Sequence, residues 1–170
     1  MARRFRGESV NKVDAKGRVS IPAPFRRVLE EGDPDWTAGL HPHLVLIHGR
    51  NDMQCLEGYT IRGMEELDDM ISAMPKFDED REYLEIVLNT NSSYAQVDET
   101  GRIVLSAKLR EVVGITEDAL FAGLGEKFQI WHPDMFAAHK AEVMRRCREE
   151  AGRDPFSRLD QLRPTRGGEQ

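Results

Sequence analysis

With 170 residues, 39% of them hydrophobic, a mean hydropathy of -0.55 and no apolar run near the ~20 residues of a membrane span, the chain is expected to be soluble and to form one domain, or two small ones sharing a core. Cys55 and Cys147 stand alone without a Cys-x-x-Cys pairing, which argues against a disulfide framework or a zinc site and for two reduced thiols. The net charge of -6 speaks against nucleic acid, but residues 1–27 hold eight basic groups against two acidic ones, an electrostatic footprint on an otherwise acidic body.

The N-terminal "MARRFRGESV" has charge but no apolar stretch behind it, so it does not read as a secretory signal, and a cytoplasmic protein is expected. Val10 to Val13 then reads as a strand. Asp14-Ala15-Lys16-Gly17 is a turn, because Asp bonds its own backbone two residues on and Gly permits positive φ. In Arg18-Val19-Ser20-Ile21, Val19 and Ile21 share one side and Arg18 and Ser20 the other. These pieces predict a β-hairpin with Lys16 at its tip and Arg18 just past it. Pro22 and Pro24 end the strand, and Pro24 suits the first turn of a helix whose apolar face is Phe25, Val28 and Leu29 and whose stop is Gly32. An exposed loop, "DPDWTAGLHP", precedes two strands, "HLVLIH" and "MQCLE", which flank "GRND".

Two helices are predicted next. Met64, Leu67, Ile71 and Met74 mark the first, which Pro75 ends; Asp78 caps a second with Tyr83, Leu84, Val87 and Leu88 inward. At Val97 the chain repeats itself: "VDETGRIVLS" follows "VDAKGRVSIP" of Val13. Aligned over 13–30 and 97–114, the identical pairs are Val13/Val97, Asp14/Asp98, Gly17/Gly101, Arg18/Arg102, Ala23/Ala107, Arg26/Arg110 and Val28/Val112. The second copy predicts a strand to Val97, a turn, a strand over 102–105, a helix capped by Ser106 with Leu109, Val112 and Val113 inward, and the strands "DALFAG" and "KFQIW". Each copy therefore reads β-β-α-β-β. One copy buries too little apolar surface to stand alone and leaves open edges, so two copies are expected to share one core about a pseudo-twofold axis. Pro133-Asp134 opens a last helix with Phe136, Val143, Met144 and Cys147 on one face; the polar, Pro- and Gly-broken remainder reads as a mobile tail.

The predicted organisation is α+β, with a first repeat over 7–54, a helical connection over 55–91, a second repeat over 92–134, a C-terminal helix over 135–151 and the tail over 152–170. Hairpin and helix together place cations at Lys16, Arg18, Arg26 and Arg27. A two-stranded ribbon fits the DNA major groove, where Arg can bond guanine bidentately. Asp14 and Asp98 are better read as turn-structuring residues with Gly17 and Gly101, since a bare carboxylate repels DNA. His41, His43 and His48 are spaced like metal ligands, but no acidic or thiol partner is evident nearby, and the residues predict no metal site. "LREVVGITEDAL" could open a helix-turn-helix, but strand-like "LFAG" follows where a recognition helix should stand. No phosphate loop and no Ser/His/Asp or Cys/His arrangement occurs, so no catalytic residue, no cofactor and no enzyme activity are expected.

"VDAKGRVSIPAPFR" and "VDETGRIVLSAKLR" resemble the paired Asp-x-x-x-Arg signatures of the MraZ proteins, bacterial transcriptional regulators related to the AbrB-like swapped-hairpin regulators. The resemblance covers about residues 5–145. It implies a swapped-hairpin barrel in which the two repeats act as the two subunits of an AbrB-like dimer. It also implies ring-like homo-oligomers, binding to short direct repeats of double-stranded DNA in a promoter, and control of the division and cell-wall gene cluster. Such a regulator would be nucleoid-associated. The implied DNA-facing segments are Asp14 to Arg18 and Asp98 to Arg102, with Arg26 and Arg110 also matching. Lys16 corresponds to Thr100 and Arg27 to Glu111, so the first copy is expected to carry more of the binding. An oligomeric scaffold that binds an acidic protein through the same cations is the alternative; a histidine hydrolase is a distant third.

Overall fold

In both copies the alternating strand after the turn is only a few residues long, so its partner is decided by what lies beside it rather than by its own length. The computed structural model describes residues 3–150 and 154–164. Its strands are β1 (Glu8–Lys12), β2 (Arg18–Ser20), β3 (His43–His48), β4 (Leu56–Thr60), β5 (Ser92–Gln96), β6 (Arg102–Val104), β7 (Asp118–Gly123) and β8 (Lys127–Trp131). Its helices are α1 (Ala23–Glu31), α2 (Ile61–Ser72), α3 (Glu79–Glu85), α4 (Ala107–Val113), α5 (Pro133–Glu150) and α6 (Pro155–Leu162). The fold is α+β and every strand pairing is antiparallel.

Six strands form one sheet in the order β1-β7-β8-β4-β3-β5, and β2 and β6 form a separate ribbon. The hairpin expected from β1 and β2 therefore exists only at its turn. Asp14 N donates to Arg18 O at 3.0 Å and Val13 faces Val19, but β1 then runs along β7 and β2 along β6. The closed barrel implied by the family resemblance is also corrected: the sheet ends at β1 and β5, which do not pair. The ribbon packs over the core instead of joining the larger sheet, with its inward Val19 and Ile103 buried there.

The main core lies between one face of the sheet, the ribbon, α1 and α4. Val19, Ile21, Phe25, Leu29, Leu44, Leu56, Ile103, Leu105, Phe121, Phe128 and Ile130 belong to it. Phe5 meets Phe25 edge-on at 5.3 Å and Phe128 at 5.0 Å, so the N-terminal segment is anchored by aromatic packing. On the other face of the sheet, Val45 and Ile47 pack with Met64 and Ile71 of α2 and with Leu88.

Several boundaries differ from expectation. β4 was expected over "MQCLE" but begins at Leu56, because a tight turn at Arg50–Asp52 occupies the preceding residues. Thr60 caps α2 by accepting from Gly63 N at 2.9 Å, so helix follows strand without a loop. Asp78 caps α3 as predicted, and Ile86–Thr90 continues it as a wide π turn that turns Val87 and Leu88 inward. Tyr83, expected inward, is exposed, and so is Val112.

The chain divides into two units, Met1–Pro133 and Asp134–Gln170. In the second, Arg145 pairs with Glu142 and Glu149 along α5, while Val143 and Met144, expected on one apolar face of this helix, are exposed. Within the segment expected to be a mobile tail, Asp154 caps helix α6 by accepting from Phe156 N at 3.0 Å; residues 152–153 and 165–170 lie outside the described residues. No helix among the described residues is long and apolar enough to cross a membrane.

Candidate nucleic-acid interface

The two turns are built alike. Asp14 Oδ1 accepts from Lys16 N and from Arg18 N, each at 2.9 Å, and Gly17 N donates to Asp14 O at 2.9 Å. Asp98 Oδ1 accepts from Thr100 N at 2.8 Å and from Arg102 N at 2.9 Å, and Gly101 N donates to Asp98 O at 3.0 Å. Gly17 and Gly101 have φ of 82° and 79°, a region costly for any residue with a Cβ. Main-chain bonds from Arg18 and Arg102 hold the two carboxyls below the ordinary range, with Asp98 brought down to about 2. Asp14 and Asp98 thus each close a turn with their own carboxylate, and Gly17 and Gly101 take its left-handed position.

The arginine side chains differ between copies. Arg18 Nε donates to Asp14 Oδ2 at 2.6 Å. Arg102 Nε lies 3.4 Å from Asp98 Oδ2 but finds no well-aligned acceptor, while Thr100 Oγ1 donates to Asp98 Oδ1 at 2.8 Å. Each guanidinium is therefore leashed at its stem end by the Asp of its own turn, the first more tightly than the second.

The pairing of β2 with β6 brings the arginines together. Arg18 faces Val104, Val19 faces Ile103 and Ser20 faces Arg102. Val19 and Ile103 are buried, so Arg18, Ser20, Arg102 and Val104 share the outer face of one ribbon. Diagonal neighbours of this kind stand roughly 7–8 Å apart. Lys16 is exposed at the tip of the first turn. Ser20 was placed beside Arg18 by the sequence; Val104 was not singled out, although the outward phase of "RIV" marks it. Val104 is 59% exposed and leaves an apolar spot beside the two cations.

Of the other expected contact residues, Arg26 and Arg110 lie against the glycines of the turns and Arg27 lies apart from them. Arg26 Nη1 donates to Ile21 O at 3.2 Å and Arg110 Nε to Leu105 O at 3.1 Å; both are half-buried and turned toward main chain. Arg27 is exposed on α1, but it borders a cleft with Arg3, Arg4 and Arg6 rather than the turns. In the N-terminal arm, Arg3 pairs with Glu31 and Arg4 with Glu126. The surroundings of the two turns are unequal. The second is flanked by Glu30, Leu40, His41 and Pro42, whereas at the first Val13 N donates to Glu117 O at 2.8 Å from a much shorter segment.

The histidines do not assemble. Contrary to expectation, His43 has an acidic partner: Asp33 Oδ2 accepts from His43 N at 2.8 Å and lies 3.5 Å from its Nδ1. No group of three metal-ligating side chains occurs among the described residues.

The family model described as "MraZ protein, putative antitoxin-like" matches residues 89–157. A transcriptional regulator MraZ of Ruegeria sp. (strain TM1040) is 51% identical over 136 residues, covering 80% of this chain and 81% of that protein. The transcriptional regulator MraZ of Ruegeria pomeroyi is 44% identical over 162 residues, covering 94% and 97%. That of Xanthobacter autotrophicus is 40% identical over 146 residues, covering 86% and 88%.

Proposed function

The chain belongs to the MraZ family, one of transcriptional regulators rather than enzymes, and on that premise we propose that it is a sequence-specific DNA-binding regulator that grips the major groove with the β2–β6 ribbon. The observation that carries this reading is the common outer face of Arg18 and Arg102. A two-stranded ribbon has the width of the groove, and two guanidinium groups held on rigid turns can each present a fork to a guanine edge. Lys16, at the tip, is suited to a phosphate. Arg27 with the N-terminal arginines would steer the backbone from the side. The acidic remainder of the chain favours an orientation in which only this surface approaches DNA.

The target follows from the family resemblance: short direct repeats in the promoter of the division and cell-wall gene cluster, read by a cytoplasmic, nucleoid-associated protein. The repeats over 7–54 and 92–134, with the connection over 55–91 and the helix over 135–151, are read as two halves of one swapped-hairpin unit. The exchange of ladder partners between them supports this: β1 lies beside β7, β5 beside β3 and β2 beside β6. A ring-like homo-oligomer is supported by exposed apolar residues at Phe77, Tyr83, Ile86 and Tyr94. Multivalent display raises avidity by about 10²–10⁴ when the spacing of sites fits.

The test is retardation of the double-stranded region upstream of the coding sequence, against scrambled DNA and heparin, at several salt concentrations. Selective binding is expected, with a slope of log K on log salt of about -0.9 per neutralised phosphate. Equal binding to every polyanion would overturn the reading in favour of a scaffold for acidic partners.

A further inference from the structure

We propose that Arg26 and Arg110 are crossed positioning residues, each setting the turn of the opposite copy, so that each DNA-facing turn depends on the helix of the other copy. The inference rests on the proposed DNA contact through those turns, and its geometry is as follows. A Cβ built at Gly101 would run into the Arg26 guanidinium, and one built at Gly17 would collide with Leu105 O and stand 3.1 Å from Arg110 Nε. The glycine of each turn is therefore the floor on which the other copy's arginine lies. The main chain crosses in the same sense: Ile21 N donates to Gly101 O at 2.9 Å and Leu105 N to Gly17 O at 2.8 Å. Arg26, bonded to Ile21 O, clamps the strand that holds the second turn, and Arg110, bonded to Leu105 O, clamps the strand that holds the first.

A planar guanidinium suits this place better than an ammonium. It can lie flat on a glycine while its N–H edge bonds a carbonyl, and its stem fills the space that a side chain at the glycine would take. Arg26 and Arg110 stand eight residues beyond Arg18 and Arg102, which is why they look like part of one basic cluster in the sequence. Their hydrogen bonds are directed inward, and the contact with DNA is left to the turns.

The experiment compares the full-length chain with its Arg110→Ala, Arg110→Lys and Arg26→Ala variants by amide hydrogen exchange and by operator binding. Crossed positioning is expected to speed exchange over residues 14–18 in both Arg110 variants and leave 98–102 unchanged, with the reverse in Arg26→Ala. Arg110→Lys keeps the charge, so an electrostatic role alone would not move its exchange. Operator binding by Arg110→Ala is expected to weaken about tenfold. Adding Arg18→Ala should then cost less than the sum of the two, whereas adding Arg102→Ala should be additive. Faster exchange only in each arginine's own copy, equal changes in both turns, no change, or loss of the cooperative fold in both Arg110 variants would overturn the proposal. The exchange measurement needs no DNA, so a chain that binds no operator would sink the DNA reading while the crossing is still decided.

Discussion

Glu57 and Gln129 face each other across the β4–β8 pairing at the centre of the sheet, and Gln129 Nε2 donates to Glu57 Oε2 at 3.1 Å. Burial would raise the Glu57 carboxyl, but hydrogen bonds from Arg50, Lys127 and Gln129 outweigh it and hold the group below the ordinary carboxylate range. Lys127 and Gln129 come from β8 and Arg50 from the turn before β4, so one carboxylate joins the two halves of the sheet.

Glu57→Ala is expected to destabilise the fold by about 2–3 kcal/mol. That is below the ~3–5 kcal/mol for breaking a fully buried pair, because Arg50 and Lys127 can swing toward water. Urea denaturation measures it. A loss under about 1 kcal/mol would mean that solvent replaces the carboxylate.

Residues 1–75 expressed alone should not give a stable monomer. That fragment keeps β3 with β4 but removes β7 from β1, β6 from β2 and β8 from β4. A well-dispersed monomeric spectrum would contradict a core shared by both copies.

Arg18→Ala should cost ~1–3 kcal/mol of specific DNA binding while fold and assembly survive, because the side chain lies on the outer face of the ribbon. Arg102→Ala should cost less, its turn being flanked by Glu30 and the loop around His41. Lys16→Ala should weaken binding to all sequences alike and flatten the salt slope by about one phosphate. Titrations of the three variants against operator and scrambled DNA check the order, which full-strength operator binding by Arg18→Ala would refute.

Acid should loosen both turns. The Asp14 and Asp98 carboxyls are depressed in the folded chain, Asp98 from 3.8 to about 2. Groups of this sign stabilise above their unfolded value, and the contribution is lost as pH falls toward the folded one. The melting temperature of the Asp14→Asn/Asp98→Asn variant should therefore fall less than that of the parent between pH 4 and pH 2, a window spanned by the shift of Asp98. Parallel curves would show that the turns do not feel these protons.

Cys55 should resist thiol reagents. Burial pushes its thiol up to about 12, whereas Cys147 is half-buried on α5. Native protein at pH 8 is expected to titrate one thiol with a disulfide reagent and unfolded protein two. Two fast thiols in the native chain would place Cys55 at the surface.

Short-range chemistry made much of this legible in the residues alone. Asp14 and Asp98 reach only two to four positions along the chain, Gly17 and Gly101 answer a local need for positive φ, and Asp78 and Ser106 cap the helices that follow them. The strands over His43–His48, Asp118–Gly123 and Lys127–Trp131 were likewise readable from apolar runs between turn residues. Strand partners were not legible, because a three-residue strand such as Arg18–Ser20 carries its inward phase but no mark of which edge it will meet. Only the folded chain put Arg18 beside Arg102, gave Glu57 its partners Lys127 and Gln129 from β8, and turned Arg26 and Arg110 from apparent surface cations into half-buried donors to main chain. Pairing across 84 positions is chosen by the core that both copies must close together, and that choice is a property of the packed whole rather than of any segment.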